Sequence, residues 1–290
     1  MKTALALILA GMMFVTVTAE NSFAASKTNR ITFNYKKPDD PKHQFIYNGL
    51  TERRVFEKIQ EFLSPFKLPN KVEYVLEGCD GSEDVIYEDN TITFCYEFID
   101  RLYKNMPKKV TPAGIAPIDT IIGPFFDTAL HEFAHALFDM FYVPILGREE
   151  DAADQVAAYI YLQLGREEAR RLIYGTAYNY LINSANADDA AETKEEFRED
   201  FAESHSTPEQ RAFNLLCIAY GADQEFFAEI VTAGYLPKER AEVCQEEYEQ
   251  LVDAYDELIL PHVDEDMADD IFDRTWLRKA SDFKKVPAAK

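Results

Sequence analysis

The residues with the clearest chemical potential are two histidines and a glutamate. His131-Glu132-Phe133-Ala134-His135 sets two imidazoles four residues apart, with a carboxylate one residue after the first. On a helix, residues four apart share a face, one turn above the other. Both rings can then grip one metal ion, at about 2.0–2.1 Å for zinc. Glu132 stands where it can act as general base on a water activated by that ion. A catalytic zinc needs a third protein ligand and one open position. Glu149-Glu150-Asp151-Ala152-Ala153-Asp154 supplies carboxylates just downstream, and Pro144 and Gly147 let the chain turn back in between. Glu150 is the third ligand in this reading. Asp154, four residues on, accepts a hydrogen bond from the ring N–H of His131 and fixes its tautomer, and Glu149 does the same for His135. A helix dipole accounts for acids at 149–151 but not for Asp154, one turn further in.

These groups need elements to hold them. Phe125, Phe126, Ala129, Leu130, Ala136, Leu137 and Phe138 surround the motif. An apolar helix has little reason to bury two histidines and a glutamate unless they are partnered. The spacing predicts a long helix over residues 124–141, stopped by Pro144 and Gly147, then helices over 149–164 and 166–182. Upstream it predicts a helix over 51–66 and a strand over 72–76. Two more strands follow over 84–87 and 91–96, joined by a tight turn at Glu88-Asp89-Asn90, and then a helix over 97–106. A connection with Pro107, Pro112 and Pro117 leads into the motif helix. Residues 26–45 show no periodicity and read as a mobile leading segment. Downstream, residues 185–205 carry a dense acidic run, read as a surface loop or a solvated helix face. Helices over 208–220, 223–232 and 237–260 precede a mixed tail containing Lys284-Lys285. A helix, a small sheet and then many helices make a predominantly helical α+β fold, one domain over 26–290.

The net charge is −22, from 52 acidic and 30 basic residues among 290. Such a surface repels phosphate backbones and anionic lipid, so no nucleic-acid partner is expected. Hydrophobic residues make up 47% of the chain, enough to bury a sizeable core. Residues 1–25 read as a signal peptide, with Lys2, an apolar stretch over 4–17 and small residues at Ser22 and Ala24. The expected product is an exported protein, periplasmic or secreted, with no stable membrane insertion after cleavage. Four cysteines allow three pairings. Cys79–Cys95 and Cys217–Cys244 are favoured because each closes a short local loop. A catalytic site of this kind also needs a second electrophile for the tetrahedral oxyanion. His205 is the candidate, with Tyr159 and Tyr174 as weaker ones. A surface or capping role competes for His205. Arg211 reads as an internal ion-pair partner, and His43 and His262 show no ligand spacing.

The HExxH motif followed by E-x-x-A-D resembles the gluzincin metallopeptidases, in which a glutamate from a second helix completes the zinc site. Within them the chain resembles a family of bacterial exported proteins regarded as metallopeptidases of unassigned function. The likeness rests on residues 91–97, 131–135 and 147–154, on His205 with Gln210, Arg211 and Asn214, on Cys217 with Tyr220 and Gly221, and on Leu236, Pro237, Arg240 and Cys244. It implies a zincin fold, zinc-dependent hydrolysis of a peptide or protein substrate, and both disulfides. The chain departs from that family's pattern before Tyr87, where Asp84-Val85-Ile86 stands in place of an Asn-Ala pair. In zincins this strand lies along the cleft and pairs with extended substrate. The competing expectation is a catalytically inactive zinc-binding interaction module. Further rivals are a metal-free helical binding protein and a hydrolase of non-peptide amides.

Overall fold

The computed structural model describes residues 29–188 and 202–279. The leader expected over 1–25, the central part of the acidic run and the Lys284-Lys285 tail lie outside the described residues. The fold is predominantly helical α+β, with a single four-stranded sheet in the order β1-β2-β4-β3.

Strand β2 (Val72–Glu77) runs through the middle of this sheet. Val72, Tyr74 and Leu76 are fully buried, as their alternation requires. It pairs in parallel with β1 (Ile31–Tyr35) on one side and β4 (Thr91–Cys95) on the other. β3 (Val85–Glu88) is the edge strand and pairs antiparallel with β4. Asp89 and Asn90 both have positive φ (48° and 63°) in the two-residue loop that joins them. Such a loop matches the natural twist of a hairpin.

Two sequence expectations are corrected here. Residues 26–45 contain β1, a 3-10 turn at Pro41–His43 and the first residues of α1 (Gln44–Glu52). Local periodicity is silent on β1 because its ladder partner lies some forty residues on, at Val72. The single helix expected over 51–66 is two, α1 and α2 (Val55–Phe62), broken where Arg54 turns left-handed (φ 54°). The Tyr35 hydroxyl accepts the main-chain N–H of Phe56 at 2.7 Å and so caps α2 from β1. Phe56 then stacks beside Tyr35 and sits among Tyr74, Phe94 and Phe125, joining sheet to helices.

Helix α3 is Tyr96–Asn105. The motif helix α4 (Asp119–Phe141) starts five residues earlier than the spacing suggests. Pro124 falls just past its first turn and forfeits one main-chain bond without ending the helix. α5 (Glu149–Leu162) and α6 (Arg166–Asp188) pack against α4. The α4–α6 contact is backbone-close: a Cβ on Gly175 would stand 2.0 Å from the Asp119 carbonyl oxygen. The Tyr74 hydroxyl donates to the Ala129 carbonyl at 3.0 Å, tying the centre of α4 to the central strand.

α7 (Pro208–Ala222) opens with a capping box between Thr207 and Gln210 and packs on α5 and α6. Short helices α8 (Ala228–Thr232) and α9 (Lys238–Ala241) lead to α10 (Cys244–Leu258) and α11 (Glu265–Phe272). The one helix expected over 237–260 is therefore broken near Glu242 and Val243. Cys79–Cys95 and Cys217–Cys244 are disulfide-bonded, and no described cysteine is free. No helix among the described residues is long and apolar enough to cross a membrane.

Candidate metal centre

His131 and His135 occupy one face of α4, one turn apart, with His131 almost fully buried. The left-handed Tyr142 (φ 53°) and Gly147 (φ 127°) turn the chain so that α5 returns alongside. Its first turn carries Glu149 and Glu150 to the two rings. The Nε2 atoms of His131 and His135 lie 3.2 Å apart. Glu150 Oε2 stands 3.0 Å from the first and 3.3 Å from the second. These three are the one group among the described residues whose donor atoms could jointly hold a metal ion, all within 4.8 Å of one another.

The far sides of both rings decide how the donors can be used. His131 Nδ1 lies 2.7 Å from Asp154 Oδ1, and His135 Nδ1 lies 2.8 Å from Glu149 Oε1. A carboxylate only accepts, so each Nδ1 carries its proton there, and the neutral ring presents a bare lone pair at Nε2. Two lone pairs and a carboxylate oxygen then face one another, an arrangement that only a proton or a cation satisfies. The donor set thus fits a divalent metal ion. Without one, protons fill the gap. Burial opposes charge on His131, but the Asp154 and Glu150 carboxylates outweigh it and hold its pKa up to about 10. Burial likewise favours a neutral Glu150, yet hydrogen bonds from His131, His135 and His205 hold its carboxyl well below the usual range. Metal loading therefore competes with protons here.

Behind Asp154 lies a second layer. Arg211, from α7, grips Asp154 with both Nε (2.7 Å) and Nη2 (2.6 Å). Its guanidinium lies 4.6 Å from the centroid of the Tyr180 ring. Asp127, one turn before His131 on α4, accepts from the Tyr161 hydroxyl at 3.2 Å and the Tyr180 hydroxyl at 3.0 Å. Burial and the neighbouring Asp154 charge push the Asp127 carboxyl up to about 6, against the pull of Arg211. The internal pairing expected for Arg211 is present. Asp127 and its two tyrosines escaped sequence reasoning, although an acid four residues before His131 on a buried face was a visible signal.

Glu132 is buried on the flank that faces β3. Burial raises its pKa, the charges of His131 and His135 lower it, and the main-chain N–H of Tyr87 hydrogen-bonds to it. The Tyr87 hydroxyl donates to Asp139 at 3.1 Å, fixing β3 against α4. This link between the edge strand and Glu132 is nonlocal and had no local pattern behind it; the family resemblance alone put the strand along the cleft.

His205 lies just before α7, half exposed, with its Nε2 2.8 Å from Glu150 Oε2. Its ring stacks over that of His131 at 5.9 Å between centroids. The segment is pinned to the start of α5: Arg148 donates to the His205 carbonyl at 3.3 Å, and Ser206 donates to Asp151 at 2.6 Å. The structure thus gathers His131, Glu132, His135, Glu150 and His205 at one place. It puts the weaker candidates elsewhere. Tyr159 packs on Tyr255, and Tyr174 lies near Phe227. His43 is buried against Tyr96, and His262 stacks on Phe141.

A protein family described as "putative metallopeptidase" matches residues 35–259 of this chain. No curated protein and no solved structure matches it.

Proposed function

The chain belongs to that metallopeptidase family, and from this membership and the site geometry we propose that it is an exported zinc peptidase. The observation that carries the reading is the convergence of His131 Nε2, His135 Nε2 and Glu150 Oε2 on one point, beside the buried Glu132. Two imidazoles and one carboxylate with a position left open suit catalytic zinc rather than a closed structural site. When bound, the ion supplies Lewis acidity, polarising the scissile carbonyl and making a water easier to deprotonate.

The protein's own groups do the rest. Glu132 takes the proton of the attacking water at its carboxylate and hands it to the leaving amine. Burial raises its pKa in the metal-free protein, and the neighbouring cation charge works the other way. His205, half exposed above the trio, donates to the oxyanion as it forms. Asp154 and Glu149 hold the rings by their Nδ1 protons. β3 ends the sheet; the Tyr87 N–H on its outer edge is taken by Glu132, and the other outward main-chain groups of the strand are where an extended substrate would pair, beside Glu132. The two disulfides agree with an oxidising compartment outside the cytoplasm.

The test is zinc content followed by cleavage of a peptide library. The wild type should hold about one zinc per chain and cleave. Glu150→Ala should lose most of the metal. Glu132→Gln should keep it and lose cleavage by ~10²–10⁴-fold. A wild type that takes up no zinc on reloading sinks the proposal. Bound zinc with no turnover of any peptide leaves the inactive binding module.

A further inference from the structure

On the other side of α4 from the metal centre lies a cavity of about 620 Å³. Its α4 wall is Ile121, Ile122, Phe125 and Phe126, with Ile118 at the N-cap of the helix. Ile122 and His131 are nine residues apart, which puts them about half a turn round the helix and about 14 Å along it. The cavity is therefore separate from the metal centre. Tyr103 of α3 and Trp276, beyond α11, close it, and the Trp276 indole N–H is spent on the Ile271 carbonyl at 2.9 Å. The Tyr103 ring packs edge-on against Phe45. The volume lies within the ~300–1,000 Å³ range of small-ligand pockets, and the walls are apolar and aromatic as such pockets are.

The mouth differs from the rest of this acidic protein. Arg53, Lys58 and Arg278 line the cavity with exposed side chains, against one acid, Glu52. Among the described residues none of these three cations pairs with a carboxylate. The Arg53 guanidinium donates to the Gly49 carbonyl of its own helix, at 3.0 Å. In a chain of net charge −22, three cations without a carboxylate partner among the described residues, set around an apolar cavity, favour a ligand with an apolar body and an anionic head.

We propose that this cavity binds a single-chain acyl carboxylate, its hydrocarbon among Ile122, Phe126 and Trp276 and its carboxylate at Arg53 and Lys58. The proposal does not depend on the metal centre or on peptidase activity.

The test uses the full mature chain, stripped of lipid, titrated with the fluorescent fatty acid cis-parinarate. Saturable binding at one site per chain is expected, displaced by palmitate and at least tenfold less well by hexadecanol, which lacks the charge. Across saturated acids, each added methylene should tighten binding roughly fourfold until the cavity is full. Arg53→Glu with Lys58→Glu, both at the surface, should weaken palmitate at least tenfold and leave hexadecanol unchanged. Ile122→Trp should intrude on the path of the hydrocarbon and weaken palmitate at least tenfold, with circular dichroism showing the fold retained. If that variant does not fold, the surface pair decides alone. Absent saturable binding, equal displacement by acid and alcohol, or binding that Ile122→Trp leaves intact would each overturn the proposal. Binding seen only after removal of residues 280–290 would make the chain's own C-terminus the occupant and overturn it equally.

Discussion

Replacing Arg211 by methionine keeps the side-chain stem and removes the two N–H donors that reach Asp154 at 2.7 and 2.6 Å. Asp154 then keeps one cation-capable neighbour, His131, whose pKa it already raises. Breaking a fully buried pair from one side costs ~3–5 kcal/mol. This pair is not fully dry, its side chains being 18% and 21% exposed, so about 2–3 kcal/mol is the better expectation. For a domain of more than 200 residues that lowers Tm by about 5–10 °C. The metal should weaken too, although His131, His135 and Glu150 are untouched. A loosened Asp154 no longer holds the His131 tautomer, and losses of this kind run ~10–100-fold in metal affinity. Calorimetry on the metal-free variant reads the first effect, and zinc competition against a chromogenic chelator reads the second. Arg211→Lys should recover part of the stability but little of the affinity, because an ammonium cannot hold a carboxylate in two places. Wild-type zinc affinity in Arg211→Met would refute the claim that the layer behind Asp154 positions His131.

His205→Asn should keep its zinc and lose ~10²–10³-fold in kcat, as expected for one oxyanion donor. A loss of zinc would instead make His205 a ligand. Asp127 has a folded-state pKa of about 6 against an ordinary value of 3.8. Its ionisation therefore opposes folding, and stability from the protonated form is lost as pH rises through 6. Metal-free wild type should gain about 1 kcal/mol between pH 7 and pH 5 that Asp127→Asn does not. Urea unfolding of both proteins at the two pH values measures the difference, and parallel curves would discard the assignment. Gly175→Ala places a methyl 2.0 Å from the Asp119 carbonyl oxygen, so α4 and α6 must part. A loss of ~1–3 kcal/mol is expected despite the gain in helix propensity, and an unchanged Tm would show that the helices do not meet as closely as described.

The sequence was most legible where the information is local. His131 and His135 share a face because the helical period is fixed. Pro144 and Gly147 announced the turn that returns Glu149, Glu150 and Asp154, and short separations favoured the two cysteine pairs. The β3–β4 hairpin was legible for the same reason, since its two-residue turn lies between its strands. What no local pattern carries is the partner that arrives from far along the chain. β1 was missed because its ladder is completed by Val72. The break at Arg54 was missed because the cap on α2 is Tyr35, on another strand. The place of Tyr87 against Glu132, the mutual grip of Asp127, Tyr161 and Tyr180, and the stacking of His205 on His131 were likewise settled only by packing. The sequence by itself determined which groups could bind and activate. Tertiary structure decided which were buried and which were held by a second partner, because burial and desolvation are properties of the whole packed chain.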